Sequence, residues 1–342
     1  MNIRSIDLGY GFVKYTCKNP LNNEPAVVTR QIPALALPVR KIVIPDGAGM
    51  KQPQTVAVNV KEVLYQVGPD TPMLLAGVSG RDLNSEYSRS DRYEALMLGT
   101  LAYMNEKVID VLVLGLPVSK FKSERERLSA LFKGKIKVPM FSEEDRTQTV
   151  EVKNVLMLPQ PMGGFLDAMV ASEQEHWRGD TLVIDPGFYT FDWIVVSENY
   201  TYISSRSGAA HGGVASVLRM VADELEEEFG KTIADLFPID RALKSGEPMR
   251  FYGKSISLDK YKPLIDAKCE SYVSDMVARL GDTGELSRVV LCGGGARLFG
   301  DAVKRAFPSW EVHICREPIF ANVRGFQIAG DDYAAELATV AA

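Results

Sequence analysis

Asp7-Leu8-Gly9-Tyr10-Gly11, with Lys14 three residues further on, gathers the residue types that hold a phosphate and its counter-cation. Ile3, Ile6 and Val13 favour extended backbone, and the Gly-x-Gly between them reaches angles closed to other residues. The stretch predicts a strand, a tight turn and a return strand. Asp7 falls where the first strand ends, and Lys14 lies a short way up the second. The N–H groups of Gly9, Tyr10 and Gly11 and the Lys14 ammonium suit phosphate, while the Asp7 carboxylate suits magnesium. Taken alone, Asp-x-Gly also marks ordinary hairpins.

A second stretch repeats the first. Ile184-Asp185-Pro186-Gly187-Phe188-Tyr189-Thr190-Phe191-Asp192-Trp193 aligns without a gap on Ile6-Asp7-Leu8-Gly9-Tyr10-Gly11-Phe12-Val13-Lys14-Tyr15. The offset, 185 − 7 = 178 residues, is about half the chain. Two such hairpins half a chain apart predict a duplicated domain with two similar turns facing one ligand.

The elements that must position these turns read as α/β. Residues 55–60 and 61–67 form a strand pair within an irregular insertion spanning about 33–90, which includes a Pro/Gly-rich passage up to Pro53. A helix is expected over 95–106, and a buried apolar strand over 110–115. Ser123 and Glu126 form a capping box that opens a short helix through Phe132. A strand over 150–158 feeds Pro159-Gln160-Pro161-Met162-Gly163-Gly164, and a helix follows over 165–175. Another strand is expected over 197–204. Val214, Leu218, Val221, Leu225 and Phe229 stripe one helix, whose acidic face carries Glu224 and Glu226–Glu228 as a solvated surface. Ile265, Cys269, Tyr272, Met276 and Leu280 stripe another. Val289-Val290-Leu291-Cys292 is a buried strand running into Gly293-Gly294-Gly295, and 326–340 forms a closing helix.

Composition narrows the function. At 342 residues with 46% hydrophobic content the chain can bury two cores. A net charge of −5 argues against a dedicated nucleic-acid surface, which shows as a basic patch. No apolar run approaches a membrane span and the N-terminus has no signal-peptide core, so no membrane association and a cytoplasmic location are expected. Cys17, Cys269, Cys292 and Cys315 lack Cys-x-x-Cys spacing and read as small buried thiols. His176, His211 and His313 show no ligand spacing. The pattern Gly-x4-Gly-Lys-Ser/Thr is absent, which excludes an ordinary P-loop partition ATPase.

The two spaced hairpins, the 159–164 segment, the glycine triplet and Glu317-Pro318-Ile319-Phe320-Ala321-Asn322-Val323-Arg324-Gly325 occur in the order of the actin superfamily of ATPases, which the chain resembles from Ile3 to about Gly330. Gly115-Leu116-Pro117-Val118, Pro159-Gln160-Pro161 and the 320–325 segment make it most similar to the ParM/StbA group of plasmid-encoded actins. The resemblance implies a two-lobed, duplicated ribonuclease H-like fold with a nucleotide cleft between lobes. Lobe I would take 1–165 and 320–342, and lobe II 166–319. It implies ATP or ADP with Mg2+ as ligands. Asp7 and Asp185 would face the metal through its water shell, with Gly9, Tyr10, Gly11, Lys14, Gly187 and Thr190 on the phosphates. Gly208, Gly293, Gly294, Gly295 and Phe320 would lie along the rest of the nucleotide. Gln160 would orient the attacking water, since its amide can hold water but cannot take a proton. Pro186, Phe188 and Tyr189 depart from the smaller residues usual in the second turn.

The implied function is a filament-forming ATPase that segregates plasmid or mobile-element DNA. It would partner itself and a separate DNA-binding adaptor on a centromere-like site, without binding DNA directly. Two alternatives share the superfamily. A small-molecule kinase needs an acidic base, for which Asp167 is the candidate near Gln160. A non-polymerising scaffold often anchors through an amphipathic terminal helix, whereas this tail carries Asp331, Asp332 and Glu336 and no basic stripe.

Overall fold

The computed structural model describes residues 1–19, 27–38, 53–74, 81–140, 146–172 and 177–340. The Pro/Gly-rich passage before Pro53, His176 and the expected end of a helix at Glu175 lie outside them. The described residues divide into two compact units. One takes in 1–74, 81–170 and 320–340, and the other 171–319 without 173–176.

In the first unit, β1 (Ile3–Leu8), β2 (Phe12–Lys18) and β3 (Val27–Pro33) form an antiparallel set. A small sheet of β4 (Leu37–Pro38), β5 (Val56–Val60) and β6 (Val63–Val67) follows in the order β4-β6-β5. Lys61 and Glu62 turn the β5–β6 hairpin with φ of 48° and 68°. Then come α1 (Asp91–Met104), β7 (Val108–Leu116), α2 (Val118–Leu131), β8 (Gly134–Pro139), β9 (Thr147–Pro159) and α3 (Gln160–Ala171). The main sheet has the order β3-β2-β1-β7-β9-β8, with β1, β7 and β9 parallel.

The second unit contains β10 (Asp180–Pro186), β11 (Thr190–Val196), β12 (Gly208–His211), α4 (Gly213–Phe229), α5 (Phe237–Ser245), β13 (Met249–Phe251) and β14 (Lys254–Ile256). It closes with α6 (Lys262–Leu280), β15 (Leu286–Leu291), α7 (Ala296–Ala306) and β16 (Glu311–Ile314). Its sheet order is β12-β11-β10-β15-β16, with β10, β15 and β16 parallel. Finally α8 (Ala321–Val340) returns the chain to the first unit.

Each main sheet thus has an antiparallel trio continued on one side by two parallel strands, and the first sheet adds β8, antiparallel to β9, at its edge. The duplication extends to register. Ile6 faces Tyr15 and Asp7 faces Lys14 in the first hairpin, and Ile184 faces Trp193 and Asp185 faces Asp192 in the second. Every residue of β10 and β11 is buried, as expected of a sheet covered on both faces. One face carries Leu182, Ile184, Phe191 and Trp193 into a core completed by Leu218 and Val221 of α4, Cys269 and Met276 of α6, and Phe299 of α7. In the first unit, Phe326 and Ala334 of α8 lie with Ile3, Val111 and Val113 of the sheet.

Several boundaries differ from those the sequence predicts. Helix α1 begins at Asp91 because Ser90 caps it, its side chain accepting from the Tyr93 N–H. Helix α2 begins straight after Pro117, not at Ser123, whose hydroxyl instead donates back to the Lys120 carbonyl within the helix. The 197–204 region forms only a bridge between Val196 and Tyr202, with Tyr200 turned to φ 59°.

Helices α3 and α8 each start five residues earlier than expected, at Gln160 and Ala321. Their glycines are not helix breakers. A Cβ on Gly163 would lie 2.2 Å from the Asn322 carbonyl oxygen, and one on Gly325 would lie 1.8 Å from that of Gly163. The glycines let two backbones cross. Pro161 sits in the first turn of α3, where its missing N–H leaves no bond unmade.

This crossing makes Gly325→Ala costly, because backbone cannot yield as a flexible side chain can. Urea unfolding should show a loss of about 1–3 kcal/mol, the usual range for overpacking. Gly300→Ala in α7, whose new methyl meets Ile314 at an ordinary 3.5 Å, should be neutral or slightly stabilising.

Candidate functional site: two phosphate-type hairpins

In the first unit the parallel strands β1, β7 and β9 end together, and ligands of open α/β sheets bind outside such carboxyl ends. Asp7, near the end of β1, is 1% exposed. One of its oxygens accepts from Lys14 Nζ at 3.0 Å, and the other accepts from Gln160 Nε2 at 2.7 Å. Lys14 is the cross-strand neighbour, so the hairpin supplies that bond by itself. Gln160 arrives from the end of β9, two strands away in the sheet. Gly115 of β7 leaves room for it: a Cβ there would lie 3.0 Å from Gln160 Cγ and 2.4 Å from the Phe326 ring. With its nitrogen given to Asp7, the Gln160 amide retains a carbonyl oxygen that can accept from water.

The turn itself is anchored by aromatic packing. Tyr10 is buried with its ring 4.6 Å from that of Tyr87, which meets Tyr93 edge-on at 5.3 Å. The Tyr10 hydroxyl donates to the Asn84 carbonyl at 3.2 Å. Burial pushes the Tyr87 and Tyr93 hydroxyls well above the usual phenol range. Tyr10 therefore serves the turn as an anchor through its ring and its hydroxyl.

In the second unit Asp185 ends its strand in the matching place, but Asp192 replaces the lysine opposite it. Both carboxylates are buried. Gly293, at φ +79°, is demanded by Asp185, since a Cβ there would fall 1.9 Å from the carboxylate oxygen. The Gly295 N–H donates to the Pro186 carbonyl at 2.8 Å, and a Cβ on Gly295 would strike Val214. Of the triplet, only Gly294 has open surroundings, with Ile319 at 3.9 Å.

The second turn is braced by the start of α4. The N–H groups of Gly212, Val214 and Ala215 donate to the carbonyls of Tyr189, Gly187 and Phe188 at 2.6, 3.0 and 2.7 Å. Three consecutive carbonyls are thereby held on helix N–H groups that would otherwise lack partners. Phe188 packs against the core of its unit, and the Tyr189 ring lies 5.6 Å from that of His211. Buried Thr190 is the cross-strand neighbour of His211.

Other expected site residues take different places. Gly208 lies opposite Trp193, and a Cβ there would come 2.6 Å from the indole ring, so packing accounts for this glycine. Phe320 closes a short 3-10 turn and is partly buried. Asp167 holds Arg324 by two bonds of 2.6 Å, one to each oxygen, tying α3 to α8. Four residues have no role assigned from the sequence, although Gly115, Asp192 and Arg324 lie within its matching segments. The gapless repeat would have exposed Asp192 as the counterpart of Lys14, but Gly115, Arg324 and Tyr87 have no local signal. All four cysteines are free and buried, and burial, with Asp266 adding to it, pushes the Cys269 thiol up to about 12. No group of three or more His, Cys, Asp or Glu side chains gathers among the described residues.

Comparison with known proteins gives these features a class. Residues 5–163 match the N-terminal domain of actin like proteins, and residues 183–305 match the C-terminal domain of the archaeal actin homologue MreB-like. An archaeal actin homolog of Thermoplasma volcanium is 23% identical over 222 residues, 64% of this chain and 67% of that protein. The structure of Ta0583, an archaeal actin homolog, in complex with ADP superposes with a TM-score of 0.78 at 17% identity, covering 97% of this chain and all of that one. A ParM subunit from a 15-stranded filament of Clostridium botulinum gives 0.70 at 17% identity, over 97% of this chain and 100% of that one. The fold and its repeated Asp-Gly hairpin define an actin-like protein. The chain belongs to the actin-like superfamily, as its motifs imply, and ParM proteins share its fold.

The pairing of buried Asp7 with partly buried Lys14 yields a stability prediction. Lys14→Met removes one partner from a carboxylate that stays buried, and should cost roughly 3 kcal/mol in urea unfolding. Adding Asp7→Asn should recover most of that loss, which a double-mutant cycle reads directly.

Proposed function

We propose that the chain is a nucleotide-dependent, filament-forming ATPase that segregates plasmid or mobile-element DNA through a separate DNA-binding adaptor. The observation that carries this reading is the Asp7 carboxylate held by Lys14 and Gln160 at the mouth of a glycine turn. The ADP complex of Ta0583 and the ParM filament, both of this fold, support it.

In this reading both hairpins engage one nucleotide. The N–H groups of Gly9–Gly11 meet its phosphates, and Lys14 exchanges Asp7 for a phosphate oxygen. Asp7 and Asp185 would hold magnesium through its waters. Asp7 and Asp185 are each buried carboxylates, the donor type that such an ion takes one or two of while keeping its water. When bound, magnesium neutralises phosphate charge. The Gln160 carbonyl, fixed by the bond its amide makes to Asp7, orients the attacking water. Assembly then follows from nucleotide binding biasing the chain toward an assembling conformation, and hydrolysis releases that bias. The kinase alternative is weakened by Asp167, whose two oxygens are both engaged by Arg324.

If the site is shared, Asp7→Ala and Asp185→Ala should each greatly weaken magnesium-nucleotide binding in calorimetry. Unchanged affinity in both variants would dismiss a shared site.

Gln160→Ala should keep nucleotide affinity and ATP-dependent light scattering, yet slow phosphate release by roughly one to three powers of ten. Its filaments should outlast those of the parent once free ATP is exhausted. Asp167→Asn should leave hydrolysis nearly normal. The reverse pattern, normal release in Gln160→Ala and loss in Asp167→Asn, would favour the kinase.

A further inference from the structure

Two consecutive left-handed glycines, Gly212 at φ +110° and Gly213 at φ +40°, carry the chain from β12 into α4. Glycine is the most permissive of residues, so such a pair does not hold its own shape. Yet the second turn depends on it, since the N–H groups of Gly212, Val214 and Ala215 hold that turn's three carbonyls. Side chains cannot stiffen the pair. A Cβ on Gly213 would lie 2.5 Å from the Gly187 carbonyl oxygen, and one on Gly212 would lie 2.0 Å from the Tyr272 hydroxyl.

Two hydroxyls hold the pair from outside. Tyr272 of α6 donates to the His211 carbonyl at 3.0 Å, directly before Gly212. The Ser216 hydroxyl of α4 lies 2.8 Å from that of Tyr272 and 3.0 Å from the Gly213 carbonyl. Two protons thus serve three contacts: Tyr272 gives its own to His211, and that of Ser216 goes to Tyr272 or to Gly213. The Tyr272 ring is in turn set by Phe191, stacked at 5.9 Å, and by Phe299, edge-on at 6.1 Å. Phe191 belongs to β11, the strand that leaves the turn. One side chain therefore touches both the hairpin and the bend that braces it.

That bend controls where the N–H groups of the turn point. The peptides are trans and planar, so each carbonyl and the N–H across its bond point opposite ways. With the carbonyls of Gly187, Phe188 and Tyr189 drawn onto the start of α4, the N–H groups of Phe188, Tyr189 and Thr190 are directed away from it. Successive N–H groups turned to one side make a concavity suited to an anion.

We infer that Tyr272 is a positioning residue for phosphate: its hydroxyl fixes the Gly212–Gly213 bend and, through it, the N–H groups of the second turn. It acts through the backbone. This inference rests on the reading that the second hairpin engages a nucleotide, and names what keeps that hairpin in shape.

Tyr272→Phe keeps the ring packing and removes only the hydroxyl. It should weaken MgADP binding in calorimetry about threefold to tenfold, the effect of one lost hydrogen bond. Without nucleotide, its melting temperature should fall by no more than about 3 °C. In phosphate-release assays the KM for ATP should rise by a similar factor while kcat stays within about twofold, because the turn meets the phosphates alike in ground and transition states. Ser216→Ala should act in the same direction, and the double variant should lose less than the two single losses combined, as coupled hydroxyls do.

Unchanged MgADP affinity in Tyr272→Phe, from a parent that binds MgADP, overturns the inference and leaves the nucleotide reading standing. A lower melting temperature or kcat with KM unchanged makes the hydroxyl a structural bond only, also against the inference. A parent chain that binds neither MgADP nor MgATP overturns both.

Discussion

A carboxylate removed from water must be matched, and Asp7 is matched twice. Leaving a buried charge short of partners costs several kcal/mol, so the two bonds to Asp7 constrain everything that supplies them. Lys14 comes with the hairpin. Gln160 comes from the far side of β7, and reaches Asp7 only because Gly115 has no side chain and Pro159 delivers the chain into a helix at that point. The order β1-β7-β9 is therefore a requirement of the site as much as of the core.

The two halves show how one topology carries unlike chemistry. Their hairpins share register residue for residue, yet a partly buried cation faces the first aspartate and a buried carboxylate faces the second. The turns are also secured by different means. Packed tyrosine rings hold the first, and backbone bonds from the start of α4 hold the second. Duplication preserved the strand ends, where backbone geometry is fixed by the sheet. It left free the residues that decide charge.

Close backbone approach is the second recurring device. Gly163 and Gly325 let α3 and α8 cross within the first unit, and the Asp167–Arg324 pair fastens the helices within about one turn of that crossing. Helix α3 begins with Gln160, so the residue that supports Asp7 is carried by an element whose position the crossing fixes. Gly293 and Gly295 do similar work in the second unit, admitting Asp185 and Val214 where any side chain would collide.

The sequence by itself determined the duplicated hairpins, the α/β class, the buried thiols and the striped helices α4 and α6, because each rests on local spacing or on a repeat visible at fixed offset. It pointed to Asp7, Lys14 and Asp185 for the same reason, and to Gln160 only through the resemblance of its segment. Helix starts at Val118, Gln160 and Ala321 were not legible: Pro and Gly are local stop signals, and only a neighbouring backbone turns Gly163 and Gly325 into contact residues. Tertiary structure alone joined Gln160 to Asp7 across 153 residues, committed Asp167 to Arg324, and placed Gly208 under Trp193. Such pairings leave no period or motif, because partners distant in the chain meet only after the sheet has set their strands side by side.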